Sequence, residues 1–173
     1  LDMSKIESGQ LELYRSEMDL AKLIEEVRIL LENQTEQKGL CFSIDCRELT
    51  EPFVWGDPLR LKQILTNLLG NAVKFTPPGG HIHLAVSRHK SGSETDVLRF
   101  ILSDTGIGMT REAVERIFRP FEQADASIAK RFGGTGLGMS IVKSLIDKMG
   151  GSIEVSSREG EGSEFVITLP FEM

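Results

Sequence analysis

The chain reads as an α+β two-layer sandwich, a mixed and mainly antiparallel sheet of about five strands packed on three helices, with an N-terminal helical stub. Three observations predict it. Three stretches carry apolar residues at i, i+3, i+4 spacing, at about 19–38, 57–75 and 137–149, each bounded by a cap or a glycine turn. Between them lie short runs that alternate apolar with polar, two pairs of which are joined by polar turns as hairpins. With 173 residues, 40% of them hydrophobic, the chain suits one core, and a sheet whose helices gather on one face is the layered way to bury it.

Taken in order, Leu1 to Gly9 resembles the tail of a helix stopped by glycine, with too few apolar positions to fold alone. The chain thus reads as a piece of a longer protein. Gln10 to Tyr14 alternates like a short strand. Asp19 caps a helix to about Lys38, whose stripe is Leu20, Leu23, Ile24, Val27, Leu30 and Leu31, and Gly39 stops it. Leu40 to Cys46 and Phe53 to Trp55 read as strands separated by a polar segment containing Pro52. Asp57-Pro58 opens the second helix, acid cap followed by proline at the first helical position, and Leu61, Ile64, Leu65, Leu68 and Ala72 form its apolar stripe. His81 to His89 and Val97 to Ser103 predict a hairpin across the polar loop Lys90 to Asp96. Thr110 caps a short helix to about Phe118, ended by Pro120. After the third long helix, Gly150-Gly151 leads to strands at Ser152 to Ser157 and Ser163 to Leu169.

The formal net charge of −6 argues against a nucleic-acid partner, so any anionic ligand must be held by local groups. Cys41 and Cys46 lie five apart in a strand-like run and point to opposite faces, so they cannot pair with each other. The three histidines, His81, His83 and His89, lack a second set of ligands at metal-binding spacing. No apolar run reaches membrane-spanning length.

Chemistry concentrates in three places. Arg131 to Lys143, RFGGTGLGMSIVK, puts four glycines, Gly133, Gly134, Gly136 and Gly138, into six residues at a helix entrance. Backbone there approaches a ligand closely where free helix N–H groups point outward, which suits a phosphate. On the second helix Arg60, Gln63, Asn67, Asn71 and Lys74 line one face. Asparagine is a poor helix former, so two at i, i+4 signal either a solvated face or a side-chain carbonyl ligating Mg²⁺ beside a phosphate-binding lysine. Asp104-Thr-Gly-Ile-Gly-Met109 places an acid at a strand end with two glycines behind it, either capping the turn or accepting a hydrogen bond from a base amino group. Glu122 to Phe132 is polar and aperiodic, as a lid or binding loop is.

Asn67-Leu-Leu-Gly-Asn71-Ala-Val-Lys74-Phe75, Asp104-Thr-Gly-Ile-Gly-Met109, Phe118-Arg-Pro-Phe121 and Gly134-Thr-Gly-Leu-Gly138 occur in that order over about 70 residues. This resembles the catalytic and ATP-binding domain of sensor histidine kinases, in the superfamily shared with gyrase, Hsp90 and MutL (the Bergerat fold). The stretches look like that family's N, G1, F and G2 boxes, and Gly160-Glu-Gly-Ser163 is similar to its last glycine turn. Residues 1–12 look like the end of the dimerisation and phosphoacceptor helix with its linker, and residues 13–173 like the catalytic domain.

The resemblance implies that Asp104 reads the adenine amino group, with Gly106, Gly108, Met109 and Phe75 around the base. Asn71 is implied to ligate Mg²⁺, with Asn67 beside it, and Lys74 to reach the phosphates. Gly134, Thr135, Gly136, Leu137 and Gly138 are implied to cover the phosphates, under a lid spanning Glu122 to Phe132. Some relatives carry a basic residue where this chain has Gln123, which leaves Lys130 or Arg131 as the lid cation. The implied cofactors are ATP and Mg. The implied partners are the protein's own phosphoacceptor domain and a response-regulator receiver domain, in a cytoplasmic setting. The parent would be a homodimer, membrane-anchored or not, and this chain alone a monomer.

Departures from the family sharpen the chemistry. Hydrolysing relatives carry a glutamate where this chain has Asn67, and an amide cannot activate water as a base. Kinase chemistry is therefore favoured over hydrolysis, since a neutral imidazole is already a nucleophile. No phosphoacceptor motif of His-Glu or His-Asp followed by Leu-Arg occurs. Rival readings explain less. An aspartic protease accounts for Asp104-Thr-Gly106 alone. A dinucleotide fold needs a strand before Gly133, and Walker A needs a Gly-Lys-Ser/Thr that is absent. A nucleotide-binding module without catalysis is the remaining alternative.

Overall fold

The computed structural model describes residues 12–90, 95–119 and 138–172. Among these residues seven strands and four helices follow in the order β1 (Ser16–Asp19), α1 (Leu20–Lys38), β2 (Cys41–Glu48), β3 (Phe53–Gly56), α2 (Pro58–Phe75), β4 (His81–Lys90), β5 (Thr95–Asp104), α3 (Arg111–Arg116), α4 (Gly138–Lys148), β6 (Ser152–Arg158) and β7 (Gly162–Glu172). The two-layer architecture is as expected, with α1, α2 and α4 sharing one apolar core against the sheet. Five longer strands run β2-β4-β5-β7-β6, and among the described residues only the β2–β4 pairing is parallel. Two short strands enlarge the sheet beyond the expected five: β3 meets the end of β7 at Trp55–Glu172, and β1 pairs with β3.

Local chemistry explains the helices. Asp19 accepts from the Lys22 N–H at 3.2 Å and caps α1, and Asp57 accepts from the Arg60 N–H at 3.2 Å and caps α2, with Pro58 at the first position. Asp57 is buried because its other oxygen takes the Tyr14 N–H at 2.9 Å, so one carboxylate ties the incoming chain to the start of α2. Thr110 caps α3 through Ala113 N–H at 3.1 Å.

Two sequence expectations shift. The strand expected at Gln10 to Tyr14 forms instead at Ser16–Asp19; positions 10 and 11 lie outside the described residues, and 12–15 have no regular structure. The reason is pairing: Tyr14 N–H is taken by Asp57, and the ladder to β3 begins only at Ser16–Gly56. Leu30, placed in the buried stripe, is 49% exposed. At about 100° per residue it falls at the edge of the face that Val27 and Leu31 occupy, and Thr35 takes the last buried place with its hydroxyl on Glu32 O. The helical stub is represented only by Glu12; the rest of it lies outside the described residues. Among those residues no helix is long and apolar enough to cross a membrane.

Candidate functional site

The end of α2, the loop after β5 and the β6–β7 turn converge. Ile107 N–H donates to Phe75 O at 3.0 Å, which fastens the Asp104-Thr-Gly loop to the last residue of α2. Gly106 lies so close beneath that a Cβ there would sit 2.6 Å from Phe75 O and 2.7 Å from Asp104 Oδ1. On the other side Gly160 N–H donates to Ile107 O at 2.7 Å, and Met109 N–H donates to Ser157 Oγ at 2.9 Å. The loop is clamped between helix and turn.

Asp104 occupies the helix-facing side of the sheet. Burial pushes its carboxyl above the ordinary 3.8, opposed by the backbone N–H groups of Gly106 and Ser163. Gly106 N–H reaches Oδ1 at 2.8 Å, leaving the carboxylate acceptor capacity for a ligand. Register aligns Asp104 of β5 with Ser163 of β7, and Ser163 with Ser157 of β6, so the three side chains stand in one row on the same face. Ser157 and Ser163 escaped sequence reasoning, because adjacency across three strands is set by register; the only hint was Ser163 closing the last glycine turn.

The two asparagines share the half-buried polar face of α2, with Lys74 exposed one turn on. Asn71 Nδ2 donates to Met139 Sδ at 3.2 Å, linking this face to the second residue of α4. The amide is thereby oriented by its nitrogen, and its oxygen is available as a hard donor. The carboxyl end of α2 has a support that the sequence did not reveal: Lys38 Nζ, from the end of α1, donates to Val73 O at 2.6 Å and Lys74 O at 2.9 Å. A cation on the last carbonyls of a helix is favourable for both hydrogen bonding and the dipole.

The structure therefore brings together Asp104, Gly106, Gly108, Met109 and Phe75, and links Asn71 on the adjoining face of α2 to Met139 of α4. Gly138 begins α4. Lys130, Arg131, Gly134, Thr135, Gly136 and Leu137, with the lid expected from Glu122 to Phe132, lie outside the described residues.

Gly108 yields a direct test. Its φ is +69°, and an added Cβ would lie 1.8 Å from the Arg158 carbonyl oxygen, a backbone atom. Gly108→Ala is expected to cost about 1–3 kcal/mol by forcing the loop off the turn. Thermal melting reads that loss, and titration with ADP is expected to show weakened binding in the same variant.

Comparison with known proteins identifies the family of the fold. A family model described as histidine kinase-, DNA gyrase B-, and HSP90-like ATPase matches residues 56–173. Over 165 residues, 95% of this chain and 18% of the relative, the chain is 41% identical to signal transduction histidine-protein kinase BarA of Escherichia coli K12. It is 44% identical over 170 residues to sensor histidine kinase GacS of Pseudomonas protegens, covering 98% of this chain and 18% of the relative. The chain thus spans about a fifth of the length of these relatives. Among solved structures, full-length ShkA in complex with AMPPNP superposes with a TM-score of 0.84 at 33% identity, over 98% of this chain and 34% of that one. The catalytic domain of histidine kinase ThkA superposes with a TM-score of 0.73 at 30% identity, over 91% of this chain and 97% of that domain. A family model over more than half of the residues, joined to a catalytic-domain relative matched almost end to end, means that the chain belongs to the histidine kinase-, DNA gyrase B- and HSP90-like ATPase family, as a histidine-kinase catalytic domain.

Proposed function

We propose that this domain binds Mg·ATP with its base against Asp104 and delivers the γ-phosphoryl group to a histidine on a dimerisation domain that residues 1–12 lead from. The observation that carries the reading is the half-buried Asp104 carboxylate, held by the clamped glycine loop with acceptor capacity to spare. That is a receptor for an exocyclic amino group beside a wall of backbone.

The residues on α2 suit the phosphate end. Asn71, its nitrogen engaged by Met139, offers an oxygen to Mg²⁺, with Asn67 one turn earlier and Lys74 three residues on as a phosphate cation. The metal supplies charge neutralisation on the phosphates when bound. Gly134 to Gly138 would cover the phosphates, and Lys130 or Arg131 would supply the lid cation. In the transfer the imidazole nitrogen forms the new N–P bond while the bond from the γ-phosphorus to the β,γ-bridging oxygen breaks, and ADP leaves. Asn67 cannot act as a base, so water is not activated at this site and the phosphoryl group goes to histidine. The phosphohistidine then serves a response-regulator aspartate. A ThkA structure in complex with the response regulator TrrA, with a TM-score of 0.72 to this chain, supports that partner class. The working form is a homodimer through the dimerisation domain, its catalytic domains cytoplasmic.

Titration calorimetry with ADP, with and without Mg²⁺ and with GTP and NAD as controls, tests the reading. Adenine-specific, Mg²⁺-sensitive binding is the expected result. Binding of all three ligands alike, or of none, overturns it. Asn71→Ala is expected to abolish the Mg²⁺ sensitivity, with a loss at least in the roughly 10–100-fold range seen when a metal ligand loses even an outer partner. The same variant is expected to stop phosphoryl transfer to an added phosphoacceptor domain.

A further inference from the structure

We propose that Ser157 is a positioning residue for nucleotide selectivity, fixing the direction of the Ser163 hydroxyl so that the row beside Asp104 presents only acceptors to the base. The inference rests on the nucleotide reading above and adds a residue outside the recognised boxes.

Ser157 Oγ has three partners. It lies 3.0 Å from Gly162 O, 2.9 Å from Met109 N and 2.8 Å from Ser163 Oγ. A hydroxyl has one proton to give and two lone pairs to receive. The carbonyl of Gly162 can only accept, so the Ser157 proton goes there. Met109 N–H can only donate, so it takes one lone pair. The remaining lone pair faces Ser163, so the arrangement that satisfies all three contacts at once has Ser163 donating its proton to Ser157.

With its proton spent on Ser157, Ser163 can only accept from anything else. Register places Ser163 directly beside Asp104, whose ionised carboxyl is also acceptor-only. Two neighbouring acceptors match the two N–H bonds of an exocyclic amino group, and they oppose a carbonyl oxygen at the same ring position. Without the Ser157 oxygen, the Ser163 hydroxyl is free to rotate and donate into the pocket. The backbone here has little room to compensate: Gly162 has φ +109°, and a Cβ on it would sit 2.0 Å from Asp104 O, so β5 and the β6–β7 turn are in direct contact.

The test compares ADP with inosine diphosphate, which replaces the 6-amino group by an oxo group, by calorimetry on the whole chain. The parent is expected to prefer ADP by about 100-fold or more, as a site built to hydrogen-bond its substrate does. Ser157→Ala removes the Met109 anchor for both nucleotides and is expected to weaken ADP about tenfold more than inosine diphosphate, so the preference itself narrows by about tenfold. Ser157→Thr keeps the hydroxyl and is expected to restore the preference. Should the alanine variant fail to fold, as judged by its thermal melt, Ser157→Cys, close in size and a poor hydrogen-bonding partner, is expected to show the same narrowing. Equal weakening of both nucleotides in the folded variant would mean a merely structural role and overturns the proposal, as does an unchanged preference. Failure of the parent to bind either nucleotide overturns the nucleotide reading itself, and this inference with it.

Discussion

Asp104→Asn is expected to lose ADP binding by about 100-fold or more while leaving the unliganded domain as stable at pH 7 as the parent, or slightly more so. The asparagine oxygen can still accept from Gly106 N–H, which approaches at 2.8 Å, so the loop keeps its anchor. What is lost is a charged acceptor for the amino group. Asparagine also presents an N–H₂ where the base presents its own donor, leaving two donors face to face. The stability half follows from the sign of the pKa shift. Burial raises the folded-state value above the ordinary 3.8, so between the two values the folded state binds more protons than the unfolded one. Stability contributed by this group is therefore present at low pH and lost as pH rises through that window, and at pH 7 the ionised carboxylate is a cost that asparagine removes. Binding runs the other way. ADP affinity in the parent is expected to fall on acidification from a pH above the ordinary carboxylate range, and titration across pH 4 to 8 checks it. A variant that bound ADP as the parent does would place the base elsewhere.

Arg88→Met is expected to destabilise the fold by about 3–5 kcal/mol, the cost of removing one partner of a buried ion pair. Arg88 and Asp96 are ion-paired with side chains only 7% and 3% exposed. Arg88 Nη1 also donates to Glu51 O at 2.7 Å and Phe53 O at 3.1 Å, so one guanidinium braces the β2–β3 connection against the central hairpin. Removing it strands the Asp96 carboxylate, which already has one oxygen without a hydrogen-bond partner. For a chain of this size the midpoint of thermal melting is expected to fall by about 10 °C or more. Replacing both residues, Arg88→Met with Asp96→Leu, is expected to recover most of the loss, because apolar pairs of similar volume often match a buried ion pair. If the double variant melts no higher than the single one, the braced carbonyls of Glu51 and Phe53 carry the stability rather than the charge pair.

The candidate site's α2 face and glycine loop were legible in the chain because each is a local arrangement. Asn67, Asn71 and Lys74 share a face by helical spacing alone, and Asp104 with its glycines is a short run at a strand end. The brace between Arg88 and Asp96 was not legible. Asp96 read as part of a polar loop, whereas the Lys90–Asp96 register extends the hairpin and places Arg88 diagonally opposite on the buried face. A charge in a loop and a charge at the buried end of a strand look the same until pairing is known.

The same division runs through the molecule. By itself the sequence determined the helices, whose caps at Asp19, Asp57 and Thr110 and whose apolar stripes act over three or four residues, and it determined the family through four ordered motifs. Tertiary structure alone decided where the first strand forms, through Asp57 holding Tyr14, and how α2 ends, through Lys38 on its last carbonyls. It alone decided that Asp104, Ser163 and Ser157 stand in one row. These contacts join residues remote in the chain, and a one-residue slip in register would send the same side chains to the opposite face of the sheet.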